Sequence, residues 1–191
     1  MTTLFSSLAF AICSVLFYQN TGQAKEHRQH GAHVHGSAYM SIAIEKNQVA
    51  MDFDVPGIDL VGFEHKAKTA HDKKTLSNRL DYLRKHADPL QFPADSICRI
   101  TSRRVDPEQH AGEDHIDYEL GVKYQCADTS KIDQFSTSLF KENKSLKFIK
   151  VDVITVLGQT SQTLTDKDNI MVLDKSVRPP LPKTIETPKN P

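Results

Sequence analysis

Two stretches of this chain alternate between inward apolar and outward polar positions, and no other feature limits its fold as tightly. In residues 48–55, Val49, Met51, Phe53 and Val55 fall on one side, with Ala50, Asp52 and Asp54 on the other. In residues 115–126 the apolar set is Ile116, Tyr118, Leu120, Val122, Tyr124 and Cys126. Successive strand side chains point to opposite faces, so a period of two with one polar side predicts antiparallel strands buried on one face. Residues 39–45 precede the first run across Lys46-Asn47, the spacing of a hairpin, and Pro56-Gly57 ends it.

Helical spacing occurs in two places. Leu76, Leu80, Leu83 and Ala87 recur three or four apart within residues 70–87, which Asp88-Pro89 closes. Ile132, Phe135 and Leu139 do the same behind a Ser130 cap, predicting a shorter helix over 130–140. Further strands are expected at 97–105, 146–157, 161–164 and 170–173. Clustered strands with isolated helices and no βαβ alternation predict an α+β fold, a mostly antiparallel sheet with two helices packed on one face. The 191 residues suit one sizeable domain. Lys and Arg total 24, as do Asp and Glu, so no broad attraction for nucleic acid or anionic membrane is implied.

The ends differ from the middle. Residues 1–24 carry no charged side chain, and 4–17 are apolar apart from Ser6, Ser7 and Ser14. That run is shorter than the roughly 20 residues of a membrane-spanning helix but fits a secretory signal. Gly22-Gln23-Ala24 places small residues before a cut, so the expected organisation is a signal peptide at 1–24, one domain at 25–175 and a disordered Pro-rich tail at 176–191. An uncleaved anchor is the alternative; after cleavage no stable membrane insertion is expected. The cut would remove Cys13 and leave Cys98 and Cys126. In an oxidising compartment that pair reads as one disulfide, with two buried thiols as the alternative.

Histidine is the excess to explain. Of nine, His27, His30, His33 and His35 lie within nine residues, with Gly31 and Gly36 beside them. Neutral imidazole is a common ligand of Zn²⁺, and His33 and His35 fall on the same side of an extended segment. A flexible segment loses entropy on wrapping an ion, so a ligand on a firmer element is needed. Glu64 and His65, in Gly62-Phe63-Glu64-His65 after the hairpin, are the candidates: Glu64 as ligand or as acceptor for a ligating ring. A second, weaker metal patch is His110, Asp114 and His115. With cleavage after Ala24, the amine of Lys25, the amides of Glu26 and His27, and the His27 ring would supply four nitrogens suited to Cu²⁺ or Ni²⁺.

The run from His30 to Gly36, the strand pair after it, Pro56-Gly57 with Gly62-Phe63-Glu64-His65, Cys98 and Tyr124-Gln125-Cys126 together resemble the ZrgA-type zinc-binding periplasmic proteins. The resemblance spans about residues 28–173. It implies a soluble periplasmic partner of an ABC-type zinc importer, not an enzyme, with His30, His33, His35 and His65 as metal ligands and Glu64 beside them. Where such proteins often carry a long His- and Asp-rich insertion, this chain has only the short segment 106–117, which argues for one principal site over high-capacity storage. A zinc-dependent hydrolase is the runner-up, since three His and a Glu can also hold a metal with an open position. No His-Glu-x-x-His helix supports it.

Overall fold

A computed structural model describes residues 34–109 and 114–180. Nine strands and three α-helices follow in the order β1 (Ser37–Glu45), β2 (Gln48–Pro56), α1 (Gly57–Val61), α2 (Ala70–His86), β3 (Leu90–Gln91), β4 (Cys98–Glu108), β5 (Asp117–Cys126), β6 (Gln134–Thr137), α3 (Leu139–Glu142), β7 (Phe148–Thr155), β8 (Gly158–Leu164) and β9 (Ile170–Val172). Six strands form one sheet in the order β4-β5-β2-β1-β7-β8, and β3-β6-β9 form a second, small one. Pairing is antiparallel except between β1 and β7, which run parallel. The fold is therefore α+β as the pattern predicts, with the sheet dominant and the helices minor.

The alternation read from the sequence is the alternation of burial. Met40, Ile42 and Ile44 of β1, the four apolar residues of β2, and Leu120, Val122 and Tyr124 of β5 are buried on the inner face. Strand β7 adds Ile149, Val151 and Val153. The core is completed by Leu83 of α2, Phe135 of β6, Leu139 and Phe140 of α3, and Met171 of β9. The opposite face is polar: Arg104 of β4 reaches Asp52 at 2.7 Å and Asp106 at 3.0 Å, and also pairs with Glu119.

Helix α2 starts where its capping residues demand. Thr69 Oγ1 accepts from the Asp72 amide at 3.1 Å, and Asp72 Oδ2 accepts from the Thr69 amide at 3.2 Å. This reciprocal box satisfies two amides that the first turn leaves without partners. The second helix expected over 130–140 is a correction: the chain there makes a 3₁₀ turn (Thr129–Lys131), then β6, then the four-residue α3. Phe135 and Thr137 face inward and Gln134 and Ser136 outward, a period of two that three apolar residues spaced for a helix conceal. The cap is Asp128, whose Oδ1 accepts from the Ser130 amide at 3.0 Å.

Cys98 and Cys126 stand opposite each other in the β4–β5 register and are joined by a disulfide with an S–S distance of 2.03 Å. Of the expected tail, Val177 is buried and its amide donates to Asp174 O at 3.0 Å, so the packed chain continues past residue 175. Residues 181–191 lie outside the described residues, as does the expected signal peptide. Among the described residues no helix is long and apolar enough to cross a membrane.

Candidate metal site

At one end of the six-stranded sheet β1 begins, β2 ends and β5 begins. The register fixes this meeting, pairing Tyr39 with Asp54, Asp54 with Glu119 and Pro56 with Asp117. The connection from α1 to Glu64 is stitched to the start of β5 by two backbone bonds. Gly57 N–H donates to Ile116 O at 3.1 Å, and Ile116 N–H donates to Glu64 O at 2.8 Å. The approach at Gly57 is too close for a side chain: a Cβ there would lie 2.3 Å from Ile116 O and 2.9 Å from Phe63 O. His35, ahead of β1, is anchored through Gly36, whose carbonyl accepts from Lys147 N–H at 2.7 Å and Phe148 N–H at 3.0 Å.

These anchors bring three side chains together. Glu64 Oε2 lies 2.9 Å from His35 Nε2, and Glu64 Oε1 lies 3.0 Å from His115 Nδ1. The two histidine side chains are 60% and 55% exposed while Glu64 is 24% exposed, so the carboxylate is the most buried of the three. A carboxylate only accepts hydrogen bonds, so the ring nitrogens facing it are N–H donors. In the neutral tautomers the remaining nitrogens, His35 Nδ1 and His115 Nε2, carry free lone pairs of the kind a zinc ion takes. A carboxylate holding the far side of a ligating imidazole is the usual second support of a histidine metal site, and here one carboxylate serves two rings.

The sequence assigns His115 to a separate patch with His110 and Asp114, whereas the structure sets it against Glu64. Nothing local to residues 110–115 announces this; the register of β2 with β5 and the bonds at Gly57 and Ile116 do. His65 makes different contacts. Its ring stacks on Phe63 with centroids 5.0 Å apart and an interplanar angle of 18°, and its Nδ1 is 3.1 Å from Lys66 O, so Nδ1–H donates and Nε2 is the nitrogen left for a metal. It stands towards the start of α2, where it adds a small lowering effect on the Asp72 carboxyl, held below its ordinary range chiefly by the Thr69 hydrogen bond. Asp114 is exposed beside His115. Lys25, Glu26, His27, His30, His33 and His110 lie outside the described residues. Among the described residues no three or more His, Cys, Asp or Glu side chains are arranged so as to surround one ion.

No curated protein sequence matches the chain. The family model described as ZrgA family zinc uptake protein matches residues 32–173, a span that begins within the histidine run and takes in Cys98, Cys126, Glu64 and His115. On the extent of that match, well over half of its length, the chain belongs to the ZrgA family of zinc uptake proteins.

Proposed function

We propose that this protein binds Zn²⁺ in the periplasm as cargo and supports its passage to an ABC-type importer, acting as a binding protein and not as an enzyme. The observation that carries the reading is the Glu64 carboxylate holding His35 and His115 on its two oxygens, at the point where the histidine run enters the sheet. In this reading Glu64 ties the two patches of the sequence together. His35 and His115 supply nitrogens oriented by Glu64, and His30, His33 and His65 are proposed as further ligands from their place in the sequence. Imidazole nitrogens held by a carboxylate on the far side of the ring suit zinc well. The high exposure of both rings favours exchange, as cargo requires, over the closed shell of a structural zinc.

The test is zinc titration of the metal-free chain lacking residues 1–24, beside His33→Ala/His35→Ala, Glu64→Ala and His115→Ala variants. One ion should bind at sub-micromolar strength in the parent. Each single replacement is expected to weaken it at least tenfold and the double replacement to abolish stoichiometric binding. Equal binding by the parent and the double variant would remove the site. Zinc-limited growth of cells lacking the protein, restored by the parent chain and not by His115→Ala, would tie the site to uptake.

A further inference from the structure

The segment that supplies Glu64 takes hold of His35 at a second point. Gly36 N–H donates to Asp59 Oδ2 at 2.6 Å, a bond across 23 residues of sequence. Asp59 lies in α1 and is only 5% exposed. A carboxyl group is rarely buried to this degree without a specific partner, because losing its hydration is costly. The partner here is a backbone amide adjoining a candidate zinc ligand. Ser37 N–H in turn donates to Val34 O at 2.9 Å, closing a turn around His35 and Gly36. The short connection from Gly57 to Glu64 thus grips this turn twice, by its backbone through Asp59 and by its imidazole through Glu64.

We infer that Asp59 is a positioning residue for zinc, its carboxylate fixing the His35–Gly36 peptide so that the His35 ring stays on Glu64 with its free nitrogen presented to the ion. This rests on the proposed site at His35, Glu64 and His115. Asp59 itself is buried beneath the turn and is not a ligand. Its effect is to spare the site the ordering of a chain segment when the ion arrives, the same saving that preorganised supports give metal sites generally. Loss of the bond leaves every ligand in place on a looser turn, and supports of this kind alter metal affinity by roughly ten- to a hundredfold.

The experiment compares the parent chain with Asp59→Ala, Asp59→Asn and His35→Ala by zinc titration, by the visible spectrum of the Co²⁺-loaded protein and by thermal unfolding. Asp59→Ala should bind zinc at least tenfold more weakly at a temperature where it is fully folded. At saturating Co²⁺ it should keep the parent spectrum, because the ligands are unchanged. Asn keeps an acceptor oxygen at the same reach, so Asp59→Asn should recover most of the affinity. Zinc affinity of folded Asp59→Ala equal to the parent, with only its unfolding temperature lowered, would reduce Asp59 to a structural residue and overturn the inference. So would an Asp59→Asn variant as weak as Asp59→Ala. If Asp59→Ala does not fold, Asp59→Ser, whose shorter side chain cannot reach Gly36, takes its place under the same criteria. Undiminished binding by His35→Ala would instead sink the site itself, whatever the Asp59 variants do.

Discussion

Replacing Gly57 by Ala places a methyl group where three backbone segments already touch. Its Cβ would fall 2.3 Å from Ile116 O, 2.9 Å from Phe63 O and 3.3 Å from Glu64 Cα, all backbone atoms with no rotamer to yield. Ordinary contact requires the two segments to part by about 1 Å, which breaks or stretches the bonds from Gly57 N–H to Ile116 O and from Ile116 N–H to Glu64 O. Overpacking costs about 1–3 kcal/mol and each lost backbone bond about 1 kcal/mol. The sum is about 3–5 kcal/mol, and at about 2–4 °C per kcal/mol for a chain of this size the midpoint should fall by roughly 6–20 °C. Because the same movement draws Glu64 away from His115, zinc affinity should fall with it. Gly62→Ala is the control: Gly62 has φ of +90° but nothing within 4 Å of its would-be Cβ, so only backbone strain of about 1–2 kcal/mol is at stake. Melting followed by circular dichroism, with zinc titration on each variant, separates the two effects. A Gly57→Ala protein that melts within 2 °C of the parent, or no lower than Gly62→Ala, would refute the close-approach argument.

Four further outcomes are expected. Cys98→Ser with Cys126→Ser removes a crosslink closing a loop of about 29 residues, which should cost roughly 3.5 kcal/mol, read as a loss in denaturant midpoint at unchanged slope. Since the disulfide lies roughly 30 Å along β5 from the end that carries the proposed zinc site, zinc affinity of the folded variant should stay within twofold of the parent. Burial first, then the nearby Asp88 charge, pushes the Tyr124 hydroxyl well above the ordinary phenol range. With the folded value raised, stability is complete below about pH 10 and falls above it by up to about 1.4 kcal/mol per pH unit. Urea unfolding at pH 8 and 11 should show a smaller loss in Tyr124→Phe than in the parent, and equal losses would contradict this. Zinc affinity should drop as pH falls through about 6.5, since an imidazole must shed its proton to ligate; constant affinity from pH 7.5 to 5 would rule out histidine ligands. Thr69→Ala opens the capping box of α2 and should cost about 1 kcal/mol, or 2–4 °C in Tm.

The parts of this fold that the sequence announces are those where one face alone meets the core. Val49 to Val55 and Tyr118 to Cys126 could be placed on strands because every second residue is buried, and α2 because Asp88-Pro89 and its leucine spacing bound it. Residues 130–140 defeat the same logic. Ile132, Phe135 and Leu139 each enter the core from a different local structure, and their separations happen to match a helix. For the site, the composition of the histidine run and of Gly62-Phe63-Glu64-His65 pointed to metal chemistry without a partner list. That His115 joins Glu64 depends on which strands pair and in what register, information distributed over β2 and β5 and absent from either motif. The buried role of Asp59 is similarly unreadable, because an Asp after Gly-Ile looks like any exposed polar residue until the Gly36 amide is found above it.

The parallel pairing of β1 with β7 has a bearing on when this protein can fold. Ser37 pairs with Phe148 and Ile44 with Thr155, so the strand that carries the histidine run into the sheet waits for a partner more than a hundred residues later in the chain. The β4–β5 ladder and the β1–β2 hairpin can close early, but the centre of the large sheet has to bring its ends together across a long loop, and such contacts form slowly. The β1–β7 ladder therefore cannot close until residues 148–155 have been made. Gly36 accepts its bonds from Lys147 and Phe148 where β7 begins, which makes the end of the sheet that carries His35 one of the later parts of the molecule to take shape.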